Sequence, residues 1–162
     1  MTDDAKLDQI SLSLRIYNLG DIQKARQADC NIGAFILCSC FIDHLSRYRY
    51  YNSIKNDKNR FIAFADNYLP SFKGNGKKLY QSLRSSLVHN YSTRGHYALA
   101  WGDRSVHLTI YAGKAVNVDL DEFILELESA LTRLLNELHT DQAIRKQALA
   151  HYDTYPIMTQ VQ

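Results

Sequence analysis

Hydrophobic side chains recur with a helical period over the first half of the chain. Leu7, Ile10 and Leu14 follow the spacing i, i+3, i+7 and predict a first helix, which Gly20 is expected to end. A second helix is expected to begin near Asp29. Its expected buried stripe contains Ile32, Phe35, Ile36, Ser39, Ile42 and Leu45.

Two further helices are predicted before position 93. Phe61, Phe64 and Tyr68 share one face of a third helix, which stops before Pro70 because proline disfavours helix in the residue that precedes it. A fourth helix is expected over the segment 79–92. Its predicted core face consists of Leu79, Tyr80, Leu83, Leu87 and Tyr91.

The hydrophobic period then changes from 3.6 to 2, which is typical of strands. Three alternating groups between positions 96 and 118 predict a small antiparallel meander of three strands. Asp119 can cap a last amphipathic helix, expected over 120–152, with Glu122 as its capping-box partner. The alternating groups are Tyr97, Leu99 and Trp101, then Val106, Leu108 and Ile110, then Val116 and Val118.

These elements predict a mainly α fold, an up-and-down bundle of four to five helices with the meander inserted before the last helix. A chain of 162 residues corresponds to about one domain and can bury a core without disulfides. We therefore expect a single domain over 1–162, helical over 1–92, with the meander at 96–118 and the C-terminal helix at 120–152.

Composition indicates an ordinary globular protein of the cytoplasm. Hydrophobic residues make up 46% of the chain and charged residues 22%, which excludes a disordered or collagen-like protein. The acidic start of the chain is unlike a signal peptide, and the apolar run 32–42 is too short for a bilayer. We expect a cytoplasmic protein that does not enter a membrane.

The three cysteines favour neither a disulfide framework nor a metal site. Cys30, Cys38 and Cys40 are an odd number within one apolar segment, which indicates a reducing compartment. Cys40 and His44 share a helix face, but Cys38 and Cys40 are too close in sequence for a structural zinc site. We expect the cysteines to be buried small side chains, and we expect no metal ion and no cofactor.

Charge is unevenly distributed along the chain. Ten lysines and arginines stand against two aspartates between Arg47 and Arg94, whereas eight acids stand against three bases between Asp119 and Asp153. The basic segment favours an anionic partner such as nucleic acid. The alternative is that the two segments neutralise each other in the folded protein.

The fourth helix carries the candidate chemistry. At about 100° per residue, Arg84 lies at the edge of the core face and His89 about 140° further round. Between them lies a face whose only apolar member is Val88, which suits a twofold contact between two copies. A neutral imidazole can take the proton of a ribose 2′-hydroxyl, and a guanidinium can hold the phosphate.

The element Arg84-Ser-Ser-Leu-Val-His89, within a helix of a small bundle, resembles the signature of the HEPN superfamily. The resemblance implies a metal-independent ribonuclease in which arginine and histidine form a composite site across a homodimer. A polar residue commonly follows the arginine, and Ser85 takes that place, while Asn90 would help to order the pair. An acidic residue on an earlier helix commonly orients the pair, and Asp43 is the candidate by position.

Two other pairs in the chain match the same spacing pattern, Arg133 with His139 and Arg145 with His151. Context selects the first pair, because the others lie in the acidic C-terminal segment, which would repel phosphate. The alternative for Arg84 and His89 is a structural role, in which they hydrogen-bond a neighbouring helix.

Aromatic and basic residues upstream form a candidate surface for single-stranded RNA. Arg47, Arg49 and Tyr50 can pair with phosphates and stack on bases, and Lys77 and Lys78 can attract the anion. The alternative is that the stretch from 47 to 51 lies half in the core and half in solvent.

Two hypotheses of different class follow. The first is an endoribonuclease or RNA-binding protein of HEPN type, with Arg84 and His89 forming its site as a homodimer. The second is a non-catalytic dimerisation or scaffold module that docks a protein partner. By resemblance, that partner would be a toxin–antitoxin component such as a nucleotidyltransferase antitoxin.

Overall fold

The computed structural model describes residues 1–157, so the last five positions of the predicted domain 1–162 lie outside the described residues. Six helical runs and a small sheet make up the described part, which confirms a mainly helical fold. The helices are α1 (Asp3–Ser13), α2 (Gly20–Gln27), α3 (Asn31–Tyr50), α4 (Asp57–Tyr68), α5 (Gly76–Leu79), α6 (Val88–Asn90), α7 (Leu120–Thr140) and α8 (Gln142–Thr154). The strands are β1 (Tyr97–Ala100), β2 (Ile110–Tyr111) and β3 (Ala115–Asp119).

The first helical run is longer than the sequence predicts. A π-helical segment (Leu14–Leu19) joins α1 to α2, and the run ends at Gln27. The prediction that Gly20 ends the helix is wrong, because Gly20 has helical dihedral angles of φ −60° and ψ −38°. Thr2 caps the start of the run, where its side chain accepts a hydrogen bond from the Ala5 N–H.

Helix α3 lies at the centre of the fold and contacts α2, α4, α7 and α8. Of the predicted stripe, Phe35, Ser39, Ile42 and Leu45 are fully buried, which confirms this face as core. Because its neighbours surround it on several sides, α3 also buries polar positions such as Asp43.

The helix that carries Arg84 and His89 runs through α5, a second π-helical segment (Tyr80–Leu87) and α6. Its predicted core face is largely confirmed, since the three leucines at 79, 83 and 87 are buried. Tyr91 is a correction: it is 76% exposed, because it adopts a left-handed conformation with φ 52° and ends the helix.

The sheet is mixed rather than an antiparallel meander, and its strand order is β1-β3-β2. Strand β1 pairs parallel with β3, and only β2 pairs antiparallel with it. The middle alternating group does not form a full strand, because it begins with a 3-10 turn (Arg104–Val106). Asp103 caps this turn, and its carboxylate accepts a hydrogen bond from the Ser105 N–H. After β1 the chain therefore passes to the opposite edge of the sheet, where β2 pairs with β3.

The C-terminal helix predicted over 120–152 is two helices, α7 and α8. The chain leaves the helical conformation at Asp141, with φ −117° and ψ 109°, and the same side chain caps α8 by accepting from the Ala143 and Ile144 N–H groups. This break allows α8 to fold back and pack against α3 and α1. The predicted Asp119 cap of α7 is confirmed by bonds from the Asp121 and Glu122 N–H groups.

Within residues 1–157, none of the helices combines the length and the apolar character required to cross a membrane.

Gly76 at the start of α5 tests the packing that positions this helix. A Cβ at Gly76 would lie 2.6 Å from the Ile62 carbonyl oxygen and 2.9 Å from Asp66 Oδ1, so Gly76→Ala is expected to destabilise the fold by about 1–3 kcal/mol. Gly20→Ala is the matched control, since its Cβ would meet only Arg15 O at 3.6 Å within a helix; it is expected to stabilise by about 0.5–1 kcal/mol. Urea unfolding measures both, and equal effects would contradict this packing.

Candidate functional site

Arg84 is held by a carboxylate from the central helix. Its Nε and Nη2 atoms each lie 3.3 Å from Asp43 Oδ2, which joins the second π-helical segment to α3. The Arg84 side chain is 29% exposed and Asp43 is buried, so the pair sits at the boundary of the core. The structure thus brings together Arg84 and the acidic residue that the sequence analysis selected by position.

His89 lies five positions further on and is exposed. Hydrogen bonds in a π-helix join residues i and i+5, so residues five apart lie nearer to one face than in an α-helix. The π-helical segment contains Arg84 and ends two residues before His89, which brings the two side chains closer in angle than a regular α-helix would. Ser85 lies half-buried beside them, and Asn90 is exposed.

The aromatic and basic stretch at the end of α3 is largely engaged within the fold. Arg49 Nε donates to the Tyr68 hydroxyl at 2.7 Å, and its guanidinium lies 4.7 Å from the centre of the Tyr50 ring. Tyr50 is buried, and its hydroxyl accepts from Asn67, so the structure does not place it where a base can stack. Arg47 is part-exposed and lies 3.1 Å from Asp57.

Lys77 and Lys78 are exposed at the start of the helix that carries Arg84. Lys58 approaches the same helix from α4, with its ammonium 6.0 Å from the centre of the Tyr80 ring. Three exposed lysines therefore lie near the N-terminal half of this helix. Their common charge suits a polyanion.

The basic and acidic segments do not neutralise each other through many contacts. Among the described residues, one ion pair joins them, with Arg49 Nε 3.7 Å from Glu137 Oε2. Most other cations of the basic segment either pair locally or remain exposed. The positive charge of the middle segment is therefore largely presented to solvent.

The cysteines differ from the expectation that all three are buried. Only Cys38 is buried, and burial raises the pKa of its thiol, whereas Cys30 and Cys40 are exposed. Cys30 precedes α3, and Cys40 lies where α3 lines an open cavity, so neither is buried in the core. Across the described part of the chain, no group of three or more His, Cys, Asp or Glu side chains is placed to hold a metal ion.

A cavity of about 790 Å³ opens next to Asp43, and sequence reasoning missed it. Side chains from the first helical run, α3 and the end of α8 line it, including His44, Tyr48 and His151. Burial, with a smaller contribution from nearby positive groups such as Arg47, lowers the pKa of His44 and of His151 to about 4 in each case. Both imidazoles are therefore neutral at pH 7.

One signal in the sequence pointed toward this cavity. Cys40, His44 and Tyr48 recur at intervals of four along α3, which places polar side chains on one helix face. No sequence pattern links that face to His151, because α8 reaches it only through the break at Asp141.

A second concave surface lies beside the end of the helix that carries His89. It has a volume of about 530 Å³ and is bordered by apolar side chains of the helix and the sheet. Tyr91 and Tyr111, which both line it, expose 76% and 60% of their surface. Exposed apolar side chains in one region are typical of a protein–protein contact.

Neither a family model, nor a curated protein, nor a solved structure significantly matches this chain. The HEPN resemblance therefore remains a prediction that depends on the residues themselves.

The neutral histidines predict a loss of stability in mild acid. The unfolded chain binds protons on His44 and His151 below pH 6.5, whereas the folded protein does so only near pH 4. More protons bound to the unfolded state means that the free energy of unfolding falls as pH falls from 6.5 to about 4.

The variant His151→Phe should reduce this slope in thermal melts recorded between pH 7 and 4.5, and His139→Phe, on the exposed end of α7, should not. Glu126, whose pKa burial raises, acts in the opposite direction in every variant and cancels in the comparison. Parallel curves for His151→Phe and the parent would contradict the assignment.

Proposed function

We propose that this protein is a HEPN-like, metal-independent endoribonuclease, or an RNA-binding relative, whose site is formed by Arg84 and His89 across a homodimer. The observation that carries the proposal is the bond from Arg84 to Asp43 on a helix that presents His89 to solvent. A purely structural role for the motif would engage both side chains. Here Arg84 is oriented by the fold, while His89 has no hydrogen bond among the described residues.

The Asp43 carboxylate supports a positioning role. It accepts from one edge of the Arg84 guanidinium, and a guanidinium has five N–H donors, so the remaining donors can bind a phosphate. Because the bond runs between two packed helices, it fixes the direction of the arginine before a ligand arrives. Lys77 and Lys78 on the same helix add positive charge around the approach.

The chemistry would be transfer of the phosphate to a neighbouring hydroxyl of the RNA itself. Neutral His89 accepts the proton of the 2′-hydroxyl, the 2′-oxygen attacks phosphorus, and the bond from phosphorus to the 5′-oxygen breaks. A protonated second imidazole, from His89 of the partner subunit, donates a proton to the leaving oxygen. Arg84 stabilises the charge that grows on the phosphate, and the products are a 2′,3′-cyclic phosphate and a 5′-hydroxyl.

The apolar surface beside His89 supports the homodimer. Tyr91 follows His89 closely, and Tyr111 extends the exposed apolar area onto the sheet. A twofold contact here would cover these side chains and bring the two copies of the helix together.

The central test is RNA cleavage by single variants. His89→Ala should abolish cleavage of single-stranded RNA while it leaves the melting temperature within a few degrees, because the side chain is exposed. His139→Ala is the matched control, since it removes an exposed histidine that follows an arginine at similar spacing. The products are identified by their terminal groups, and cleavage by His89→Ala at the parental rate would refute the assignment.

The dimer has its own test. Tyr111→Asp should shift the protein from dimer to monomer in light-scattering chromatography, because it places a charge in the proposed contact. Leu12→Asp is the control, since Leu12 is 56% exposed but lies on α1, away from the sheet. A parent that is monomeric at all accessible concentrations would exclude the composite site.

A second candidate function is a scaffold module that docks a protein partner, such as a nucleotidyltransferase antitoxin. The observation that favours it is the same exposed apolar region, which can receive another protein as readily as a second copy. In that case the pure protein leaves RNA intact and His89→Ala changes nothing, while Tyr111→Asp abolishes partner binding.

A further inference from the structure

The cavity next to Asp43 contains two polar atoms whose hydrogen-bonding capacity is unused. The Tyr48 hydroxyl and His151 Nδ1 are both shielded from solvent and have no hydrogen-bond partner among the described residues. Both side chains line the cavity, and both residues are at least nine-tenths buried. Buried polar groups are paired in the great majority of cases, so two unpaired ones in a single wall call for an explanation.

The wall around these atoms is aromatic. The His151 ring lies 4.8 Å from the Tyr48 ring and 5.1 Å from the Tyr51 ring, measured between ring centres. Tyr155 packs against the same imidazole at 5.4 Å and is 57% exposed, so it is the ring in this cluster that an entering ligand can displace most easily. Such surfaces favour a flat ring over a flexible chain.

The charge of the wall restricts the ligand further. His44 and His151 are neutral at pH 7, and Tyr48 is an uncharged phenol, so the part of the wall that these three side chains form offers no counter-ion. A charged group placed there would be desolvated without compensation, and a purely apolar one would leave both polar atoms unpaired. An uncharged planar ring with donors and acceptors along one edge meets both conditions.

Other side chains that line the cavity are charged, and they include the Asp21 carboxylate. Arg47 lines the opening with part of its side chain exposed, and Asp43 lines it as well. Asp43 is also the carboxylate that binds Arg84. The cavity and the proposed phosphate site therefore share one residue between them.

We propose that this cavity binds a nucleobase, with Tyr48 and His151 contacting its hydrogen-bonding edge and Arg47 lying near the attached phosphate. As a subsite for one base of an RNA strand the inference rests on the proposed ribonuclease function, whereas the binding of a free nucleotide does not. A volume of about 790 Å³ is within the range of small-molecule sites and accommodates a nucleotide. Unstacked bases of single-stranded RNA are commonly held by aromatic side chains in this way.

The test is calorimetric titration with the four nucleoside 5′-monophosphates, with ribose 5-phosphate as the probe that lacks a base. At least one nucleotide should bind and ribose 5-phosphate should not. Tyr48→Phe should weaken binding about tenfold, the effect of one lost hydrogen bond with its desolvated partner. If no nucleotide binds, or ribose 5-phosphate binds equally well, the proposal is overturned.

Ser82→Ala is the matched control for the loss of an unpaired hydroxyl. The Ser82 hydroxyl is also buried without a partner among the described residues, but it does not line the cavity. Neither variant should lower the melting temperature, because each removes a polar atom that the fold leaves unsatisfied. Equal nucleotide affinity for Tyr48→Phe and Ser82→Ala would overturn the proposal.

RNA cleavage separates this inference from the proposed function. If the parent cleaves RNA and Tyr48→Phe raises KM with kcat unchanged, the base subsite is supported. If Tyr48→Phe cleaves with parental KM, the subsite fails while the ribonuclease function stands. If nucleotides bind through Tyr48 but RNA is not cut, the nucleobase site stands and the ribonuclease function fails.

Discussion

The bond between Asp43 and Arg84 is the contact on which the functional architecture depends. It joins the central helix α3 to the helix that presents His89, at the boundary between core and solvent. Arg47, on the same helix, lies 4.0 Å from this carboxylate, but Arg84 is the nearer cation and the one that comes from another helix, so its bond ties the two helices together. The same carboxylate lines the cavity of about 790 Å³, so Asp43 belongs both to that cavity and to the proposed phosphate site.

Departures from regular helix place the key side chains. The second π-helical segment changes the angle between Arg84 and His89, and π-helical turns within α-helices are frequent at functional sites. The first π-helical segment lines the cavity through Tyr17 and Asn18. Each irregular stretch thus borders one of the two candidate sites, and the regular helix α3 supplies both core residues and the side chains of Asp43, His44 and Tyr48 at those sites.

Local pattern predicted the helices that contain one clear apolar face. The stripe of α3 and the Asp119 cap of α7 were both recognisable, since each depends on neighbours along the chain. The pairing of the strands could not be recognised from the sequence, because β1 and β3 are neighbours in the sheet although β2 lies between them in sequence. The break at Asp141 was also missed, although an aspartate is a good helix cap and the buried face of α8 is out of phase with that of α7.

By itself the sequence determined that the chain forms a mainly helical core, and it singled out Arg84, His89 and Asp43 as residues of interest. Hydrophobic period and residue chemistry are local properties, so they are visible without coordinates. Only the tertiary structure decided that Asp43 binds Arg84, that Tyr50 is buried, and that α8 brings His151 to the wall of a cavity on α3. Those facts depend on how distant segments pack, and no local pattern encodes that packing.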